Sequence, residues 1–554
     1  MDKEYVVTLY NKEDLQQFYN EMKLTGFTLA LERPLSRNTH YIMTEEQAEQ
    51  LRQDPRVWGV EAVDSFQIRP QTTVNYSSYS KSGIFWKDDT VGAATISVTD
   101  LQWGHLHCAG VSNQRRKYSF GTGQQENVGD SVNVYNSGQH VDIVIVDDPV
   151  SYDCNEFRSP STNNSRFVEY QWFNELNSYV ASIDDDGQSL PTGSISYYSN
   201  GSNPQFHGVH VTGTAAGKYY GWAREANIYN LAVTASWQSG QSVPALLIFD
   251  YLRAFHKYKP INPTTGKRNP TITNHSYGGI VYMPNNNFRI SGVSSIYYRG
   301  NIYTSGNPGP SGWTEYGLTT DFGLVWGLDA YPSWNAAVTA DVQDAIDDGV
   351  VIIGAAGNDN LMIADPTDQD WNNYVVTTNS QVVYYNRGAW PNSPDSGAIT
   401  VGALSSYSDF RRSTYTQYGP GIDVFAPGDN IISSFNSLGL YDSKYGGPDY
   451  YYAIDGTSMA SPQVCGAIAV AATGKERYTQ SDARNYLNKT SVENDMTFNS
   501  SGGGFTDVTC SKGSPNLYLY IDTLRKTSGH IEEIKGERLT SGQVFPRRKS
   551  YYGQ

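Results

Sequence analysis

A glycine-led turn that carries a serine, followed by a run of small residues, is the feature that most constrains this chain. The turn reads Gly456-Thr457-Ser458-Met459-Ala460-Ser461-Pro462, and small apolar residues continue to Ala472. The run predicts a buried helix whose first backbone N–H groups lie near the Ser458 hydroxyl. Donors at that position can favour attack on a carbonyl and hold the resulting oxyanion. A serine at a helix start is also an ordinary N-cap, so the segment alone decides nothing.

Two earlier segments supply the groups that such a serine needs. Val141–Asp147 is an apolar strand pattern that ends in a carboxylate, and His207–Gly217 is a histidine followed by a helix pattern of small residues. The chain order Asp, His, Ser is one of several orders in which a catalytic triad of these residues occurs in unrelated proteins. At these three segments the chain resembles the subtilisin-like serine protease family, the subtilases.

The chemistry of amide hydrolysis explains why these residue types belong together. A neutral serine is a poor nucleophile and needs a base near pH 7, which suits histidine because its ordinary pKa is about 6.5. The imidazolium that forms needs a buried carboxylate to fix its tautomer and orientation. We therefore predict Ser458 as the nucleophile, His207 as general base and then acid, and Asp147 as the orienting carboxylate.

Further segments resemble the substrate cleft of the family. Ala355-Ala356-Gly357-Asn358 is similar to the oxyanion motif, which implies that the Asn358 amide joins the Ser458 N–H in the oxyanion hole. Ser276-Tyr277-Gly278-Gly279 resembles the segment that pairs with the substrate backbone and walls the primary specificity pocket. The resemblance thus implies that substrate is bound by Ser276, Tyr277, Gly278, Ala355, Ala356 and Gly357.

Residues 1–64 have the pattern of a separate α+β module. Asn11 is the predicted N-cap of a helix pattern at Leu15–Leu24, and Thr44 with Gln47 predicts a capping box for a second helix. The strand and helix signals follow a βαββαβ order, and the module resembles the inhibitory propeptide of subtilases. An unrelated ferredoxin-like module is the alternative interpretation.

Residues 65–95 are rich in Ser, Gln and Tyr and predict a linker. The propeptide resemblance implies a zymogen, inhibited by its own propeptide, that cuts itself in this linker. We predict the processing site between about Ser65 and Ser82, because this stretch has no helix or strand periodicity.

Residues 96–525 predict the catalytic domain, a subtilisin-like three-layer α/β domain with a mostly parallel sheet between helices. Continuous apolar strand patterns alternate with helix patterns, as a sheet covered on both faces requires. The strand patterns are Val141–Val146, Ile228–Val233, Val350–Gly354 and Ile399–Ala403. Residues 280–333 and 359–396 predict surface insertions relative to the family, and 526–554 is a charged tail outside the resemblance.

Composition excludes several functions. The net charge of −16 argues against nucleic acid or an anionic membrane as a partner. The resemblance to subtilases implies protein or peptide substrates. No window approaches the ~18 apolar residues of a membrane helix. The N-terminus lacks the apolar core of a signal peptide. This leaves three expectations: an intracellular protease, export by another route, or packaging in a larger particle such as a virion.

Several residues carry alternative interpretations. Asp148, which stands where the family has a hydroxyl residue, is an alternative to Asp147 as the orienting carboxylate. His207 with His210 has the spacing of a zinc pair, and His105, His107 and Cys108 form a second potential ligand group, although packing explains both. The family requires no cofactor. Structural calcium is an open alternative to a solvated acidic turn at Asp184-Asp185-Asp186-Gly187.

The four cysteines, Cys108, Cys154, Cys465 and Cys510, do not form a regular framework. Either a Cys108–Cys154 bridge or thiols fit the pattern, and Cys465 is expected to be a buried thiol. The main rival to a peptidase is a catalytically idle structural or binding component built on the same fold. The complete set Asp147, His207, Asn358 and Ser458 favours the enzyme.

Overall fold

The computed structural model describes most of the chain. It covers residues 3–63 except 32, 34 and 35, the strands 68–70 and 85–87, and residues 100–109. It further covers residue 134 and the ranges 136–183, 190–405, 411–436, 450–496, 513–521, 525–527 and 530–532. Most of the linker, the acidic turn 184–187, Cys510 and most of the tail lie outside the described residues.

The N-terminal elements follow the predicted βαββαβ order. They are β1 (Lys3–Leu9), α1 (Leu15–Leu24), β2 (Thr28–Leu31), β3 (Asn38–Met43), α2 (Glu45–Leu51) and β4 (Val57–Ala62). The strands form an antiparallel sheet in the order β2-β3-β1-β4. The capping box at Thr44 and Gln47 is present, because each residue bonds the backbone N–H of the other. The predicted cap at Asn11 is wrong: a short 3₁₀ turn precedes α1, and the Asn11 side chain makes no capping hydrogen bond.

The rest of the chain contains eight further helices and twenty-one further strands among the described residues. Between the module and the main body lie β5 (Ile68–Pro70), β6 (Phe85–Lys87), β7 (Asp100–Gln102) and α3 (Trp103–Ala109). The later strands are β8 (Asp142–Asp147), β9 (Asn227–Ala232), β10 (Thr271–His275), β11 (Tyr277–Tyr282), β12 (Val293–Tyr298), β13 (Asn301–Tyr303), β14 (Ala330–Pro332), β15 (Val351–Ala355), β16 (Tyr374–Thr377), β17 (Val382–Tyr384), β18 (Ile399–Leu404), β19 (Val424–Pro427), β20 (Ile431–Phe435), β21 (Tyr450–Ile454), β22 (Val492–Glu493), β23 (Leu517–Tyr518), β24 (Arg525–Thr527) and β25 (His530–Glu532). The later helices are α4 (Trp172–Ile183), α5 (His207–Ala216), α6 (Ile248–Tyr258), α7 (Glu315–Phe322), α8 (Ala336–Asp347), α9 (Thr457–Ala471) and α10 (Gln480–Thr490).

An eight-stranded sheet forms the centre of the main body, in the order β22-β23-β19-β18-β15-β10-β8-β9. Neighbouring strands from β23 to β9 run parallel, and only the edge pair β22–β23 is antiparallel. Every residue of β8, β10, β15 and β18 is buried, so their apolar runs are covered on both faces. The predicted α/β fold with a mostly parallel sheet is confirmed.

The register of this sheet brings the predicted site segments to one edge. His275 at the end of β10 lies opposite Val146 of β8 on one side and Gly354 of β15 on the other. Parallel strands share their carboxyl ends, so the residues that follow meet there. Asp147, Ser276 and the segment 355–358 therefore occupy neighbouring positions.

The two predicted insertions combine into one structure. Strands β12 and β13 come from 280–333, β16 and β17 come from 359–396, and they form a four-stranded antiparallel sheet in the order β13-β12-β16-β17. A separate apolar core that includes Phe288, Ile296, Phe322 and Val375 lies beneath it. The insertions therefore form a single subdomain with its own core.

The N-terminal module docks on two helices of the main body through a buried ionic cluster. Arg33, only 1% exposed, donates from Nη2 to Asp250 of α6 at 2.6 Å and to Asp341 of α8 at 3.2 Å. Ser36 and Asn38 donate to the other oxygen of Asp341 at 2.8 and 2.9 Å. A buried charge is tolerated where it is paired and hydrogen-bonded, as here.

A second contact lies at the start of α8. One carboxylate oxygen of Glu61 accepts the Ala336 backbone N–H at 3.2 Å, and the other, Oε2, is buried without a partner among the described residues. Beside it the rings of Trp58 and Trp334 meet edge to face at 6.4 Å. A hydrogen-bond acceptor is well placed there because a helix N-terminus presents unpaired N–H groups.

Among the described residues, no helix combines the length and the apolar character needed to cross a membrane.

Candidate active site

Asp147 and His207 form a buried pair at the carboxyl edge of the sheet. Asp147 is the last residue of β8, and His207 is the first residue of α5. The His207 Nδ1–H donates to Asp147 Oδ1 at 2.6 Å, and both side chains are almost fully buried. Nε2, on the far side of the ring, makes no hydrogen bond with the described residues. This is the arrangement in which a carboxylate orients an imidazole and leaves its second nitrogen for chemistry.

The residue after the histidine explains how α5 approaches so closely. A Cβ at Gly208 would lie 2.4 Å from the Asp148 backbone oxygen, so only glycine fits between the start of the helix and the end of β8. The His-Gly pair in the sequence thus positions the imidazole against the strand.

Asp148 lies beside the pair but has a different partner. Its carboxylate accepts a hydrogen bond from the Thr234 hydroxyl, while its backbone N–H donates to Asp147 Oδ1 at 2.7 Å. Burial and the neighbouring Asp147 charge raise the pKa of Asp148 to about 6. Asp147 is therefore the carboxylate that contacts His207, and the alternative assignment to Asp148 lacks this contact.

Opposing effects set the pKa of His207. Burial lowers it, but the charge of Asp147, the hydrogen bond to Asp147 and the charge of Asp148 outweigh burial and raise the pKa above 6.5. Both aspartates therefore favour the protonated imidazole.

Ser458 is the second residue of α9, and the turn before it depends on glycine. Gly456 has φ +153°, a conformation that residues with a side chain rarely adopt. The Ser458 hydroxyl donates to the Ser276 carbonyl at 3.1 Å, and the Ser276 hydroxyl donates back to the Ser458 carbonyl at 2.9 Å. Ser458 therefore contacts the predicted substrate strand directly, and its hydroxyl donates to a carbonyl oxygen instead of His207.

Two residues to which the sequence patterns assigned no role hold this contact in place. Ser461, one turn along α9, donates to Asn274 Oδ1 at 2.7 Å, and Asn274 Nδ2 donates to the Ser276 hydroxyl at 2.9 Å. All three side chains are fully buried. The chain of hydrogen bonds fixes the start of α9 relative to β10 and β11. Only their spacing to Ser458 and Ser276 could have identified them from the sequence.

Asn358 lies next to the start of α9 with its donor group unused. Its Oδ1 accepts from the Thr457 backbone N–H at 3.0 Å and from the Thr457 hydroxyl at 2.8 Å. Its Nδ2 is buried and has no partner among the described residues. A buried amide donor without a partner is costly, which suits a site where a ligand supplies the acceptor.

The predicted wall strand β11 already carries a partner strand. β5 runs antiparallel to it, with Pro70 opposite Tyr277, Arg69 opposite Gly278 and Ile68 opposite Gly279. On the other edge of β11 lies β14. The second predicted wall begins at Ala355, the last residue of β15, and continues through Ala356 and Gly357. Gly357 has φ +116°, and a Cβ there would lie 2.7 Å from the Gln417 side chain.

The residues of the alternative ligand groups make packing contacts and hydrogen bonds. Asp147, Asp148 and His207 offer atoms within 4.8 Å of one another, as a metal site would. Asp147 Oδ1 and His207 Nδ1 are paired with each other, and the Asp148 carboxylate accepts from Thr234. His210, the other member of the predicted zinc pair, lies with Nε2 2.9 Å from the Ile431 carbonyl, and burial lowers its pKa to about 3. His105 packs edge-on against Trp222 at 4.6 Å.

The remaining predictions on ligands concern cysteine and calcium. Cys108, Cys154 and Cys465 are buried thiols, and burial raises the pKa of Cys465. His107 packs edge-on against Trp103 at 4.6 Å, in the helix that also carries Cys108. The candidate calcium turn Asp184–Gly187 lies outside the described residues.

Comparison with known proteins agrees with this geometry. Residues 138–507, about two thirds of the chain, match the subtilase family. A subtilisin-like protease of Coccidioides posadasii is 26% identical over 334 residues, which cover 60% of this chain and 49% of that protein. The subtilisin-like serine protease Pen c 2 of Penicillium citrinum is 27% identical over 334 residues, 60% of this chain and 53% of that protein.

A solved structure is also similar to this chain. Fervidolysin from Fervidobacterium pennivorans, described as a keratinolytic enzyme related to subtilisin, is 17% identical with a TM-score of 0.47, covering 94% of this chain and 60% of that chain. This chain belongs to the subtilase family. It spans about half the length of the curated relatives given above.

The pKa of His207 leads to a prediction for pH dependence. A histidine base must be neutral, so activity is expected to fall as the pH drops through the His207 pKa, which lies above 6.5. Asp148→Asn removes one charge that raises this pKa, so the acid limb of kcat/KM should move to lower pH. A pH profile of both proteins on one peptide checks this.

Asp153→Asn is the control, because the Asp153 carboxylate accepts the Asn200 backbone N–H instead of facing His207. An unmoved acid limb would show that Asp148 does not influence the base.

Proposed function

We propose that this chain is a serine endopeptidase that hydrolyses protein and peptide substrates, made as a zymogen with its own N-terminal module as inhibitor. The single observation that carries the proposal is a pair of unsatisfied buried groups at one edge of the sheet. His207 Nε2 and Asn358 Nδ2 have no partner among the described residues, and Ser458 opens a helix at the same edge. During hydrolysis of a peptide, the first group accepts the proton of the Ser458 hydroxyl, and the second donates to the oxyanion that forms on the substrate.

The reaction assigns one step to each group. His207 Nε2 removes the proton of the Ser458 hydroxyl as Oγ bonds to the substrate carbonyl carbon. The oxyanion accepts from Asn358 Nδ2 and from the Ser458 backbone N–H, a free donor because it lies in the first turn of α9. His207 then gives its proton to the leaving amine, and the C–N bond breaks. Water hydrolyses the ester with the same base, and Asp147 holds the imidazole throughout.

The hydroxyl of Ser458 reaches this role by a small change of direction. It donates to the Ser276 carbonyl in the present structure. A substrate paired with β11 would place its own carbonyl beside Ser276, and the serine would rotate toward His207. Side-chain rotation of this kind is fast compared with chemistry.

The N-terminal module is suited to inhibition because the segment directly after it reaches the same strand. There β5 occupies the edge of β11 at Tyr277–Gly279, where an extended substrate would pair. The docked sheet is held on α6 and α8 by the Arg33 cluster and by Glu61. We infer that residues 1–64 are the propeptide, that cleavage follows in the segment 65–95, and that 96–525 is the catalytic domain.

A direct assay tests the proposed function. The purified chain is incubated with casein, and the fragments are mapped by mass spectrometry beside the Ser458→Ala variant. We expect internal cleavage by the wild type only. A stable protein that binds casein without cutting it would favour the structural rival.

Docking of the module is expected to weaken with rising pH. Burial raises the pKa of Glu61 from 4.5 to about 7 in the docked state, so the protonated acid favours docking. This contribution is complete below pH 4.5 and is lost as the pH rises through about 7. In the uncut Ser458→Ala chain, Tm should fall between about pH 5 and about pH 8, which lie on either side of that pKa. Glu61→Gln removes the titrating group, so the Tm of this variant should fall less over the same range.

Glu49→Gln serves as the control for this experiment, because the Glu49 side chain is 61% exposed. Its removal should leave the pH dependence of Tm unchanged. If the Tm of the Glu61→Gln variant and the Tm of the chain that keeps Glu61 change equally with pH, the expected titration of Glu61 is contradicted.

A further inference from the structure

Strand β11 continues beyond the part of it that resembles the family. The resemblance covers residues 276–279, and the predicted insertion begins at residue 280, but the strand runs on to Tyr282. It pairs with β14 in a regular register as far as Tyr282, which lies opposite Ala330. The strand beside which substrate is proposed to pair is therefore longer than the segment shared with the family.

Hydrogen bonds fix the direction in which the backbone groups of β11 point. The Ser333 N–H donates to the Gly279 carbonyl at 2.9 Å, and the Met283 N–H donates to the Asp329 carbonyl at 2.9 Å. These bonds lie on the β14 side of the strand. Successive residues of a strand turn their N–H and C=O groups to alternate edges, so Val281 faces β14 as well.

The residues in between turn their backbone groups to the other edge of β11. These residues are Gly278, Ile280 and Tyr282. This is the edge on which β5 lies, with Arg69 opposite Gly278. Among the described residues, β5 reaches only as far as Gly279. The same edge continues through Ile280 and Tyr282, in line with the place where an extended substrate would pair.

The two added positions differ in what they offer. Tyr282 is 46% exposed, so its ring is accessible at the far end of the strand. Ile280 is only 6% exposed, so its side chain is already packed and its backbone is the part that a substrate would bond. Directly opposite residues of an antiparallel pair place their side chains on the same face. A substrate residue opposite Tyr282 would therefore lie beside the tyrosine ring.

The contact between Ser458 and Ser276 relates these positions to the cleaved bond. Ser458 Oγ lies 3.1 Å from the Ser276 carbonyl, so the substrate residue opposite Ser276 is the one that the nucleophile attacks. Along an antiparallel partner, the third residue before the cleaved bond then lies opposite Gly278. The fifth residue lies opposite Ile280, and the seventh lies opposite Tyr282.

We infer that Ile280 and Tyr282 form a distal subsite that binds the backbone of the fifth and seventh substrate residues before the cleaved bond and an aromatic seventh side chain. It is a subsite of the proposed peptidase and rests on that proposed function. Two further pairs of backbone hydrogen bonds and one cross-strand aromatic contact stabilise the bound substrate. The preferred substrates are therefore flexible protein segments that can extend over seven residues.

A length series of peptides tests the subsite. It starts from a site that the wild type cuts in casein, found in the assay above. Acetylated peptides carry four, five, six or seven residues before the cleaved bond, with phenylalanine as the seventh. We expect kcat/KM to rise about 10-fold from four residues to seven, because the added residues gain backbone hydrogen bonds.

N-methylation locates the pairing within the seven-residue peptide. A methyl group on the nitrogen of the fifth residue removes the donor to the Ile280 carbonyl and should lower kcat/KM about 3- to 10-fold. The same change on the sixth residue is the matched control, because that N–H faces away from β11. It should leave kcat/KM unchanged.

A variant tests the aromatic contact. Tyr282→Ala should lower the ratio of kcat/KM for the seven-residue peptide to that for the four-residue peptide about 2- to 5-fold. Tyr316→Ala is the control, because Tyr316 is a 70% exposed tyrosine on α7 of the same inserted subdomain. It should leave the ratio unchanged.

The outcomes separate this subsite from the proposed function. Equal kcat/KM for four and seven residues, or equal effects of the two N-methyl groups, overturns the subsite and leaves the peptidase intact. Failure to cut casein at all overturns both. If Tyr282→Ala fails to fold, the peptide series on the wild type still decides.

Discussion

Replacing Ser458 by alanine is expected to lower kcat by about 10⁶-fold and to leave the 61.4 kDa chain uncut. The size is that known for subtilisin, a member of the same family. The physical reason is that alanine lacks the hydroxyl that bonds to the substrate carbonyl carbon in the proposed reaction. Peptide hydrolysis and intact mass measure the two effects. The fold should persist, since the hydroxyl makes a single hydrogen bond to the Ser276 carbonyl.

Ser461→Ala is the matched control for this substitution. Ser461 is equally buried on the same helix, but its hydroxyl donates to Asn274 and not toward the cleft. Its loss should cost about 1 kcal/mol of stability and a small part of the activity. Activity of Ser458→Ala within tenfold of the wild type would contradict the assignment of the nucleophile.

Replacing Asn358 by aspartate is expected to lower kcat by about 10²–10³-fold or more, with little change in KM. This size is the one known for loss of the equivalent donor in subtilisin, so it is carried over from the family. Aspartate keeps the oxygen that accepts from Thr457 N–H and Oγ1, so the start of α9 stays in place. It removes the Nδ2 donor and sets a negative charge against the developing oxyanion.

Asn358→Ala separates the two roles of this residue. It removes the donor and the acceptor together, so its activity should fall as well and its Tm should fall more than that of the aspartate variant. Steady-state kinetics and thermal unfolding of both variants provide the comparison. An effect confined to KM would show that Asn358 only contacts the substrate.

Local patterns were sufficient to predict the elements that carry the site. The strand predicted at Val141–Val146 is observed at Asp142–Asp147, and the run of small residues after Ser458 forms α9. Such runs are reliable because a buried strand or helix needs apolar or small residues at every position. The cap at Asn11 failed because a 3₁₀ turn precedes the helix there, a choice that local residue type does not decide.

Long-range contacts could not be predicted in this way. Arginine is usually exposed, yet Arg33 is buried between Asp250 and Asp341, more than 200 positions away. The pairing of β12 with β16 likewise joins two insertions that are separate in the sequence. Asn392 gains its position from carbonyls of two different strands. Each depends on tertiary packing, which a single sequence does not encode in its periodicity.

The central claim is that Ser458 is a nucleophile activated by the Asp147–His207 pair. Labelling of the intact protein with a serine-directed phosphonate, followed by mapping of the adduct, tests it most directly. We predict one adduct, on Ser458, with strongly reduced labelling in His207→Ala and none in Ser458→Ala. An adduct on another residue, or equal labelling of wild type and His207→Ala, would contradict it.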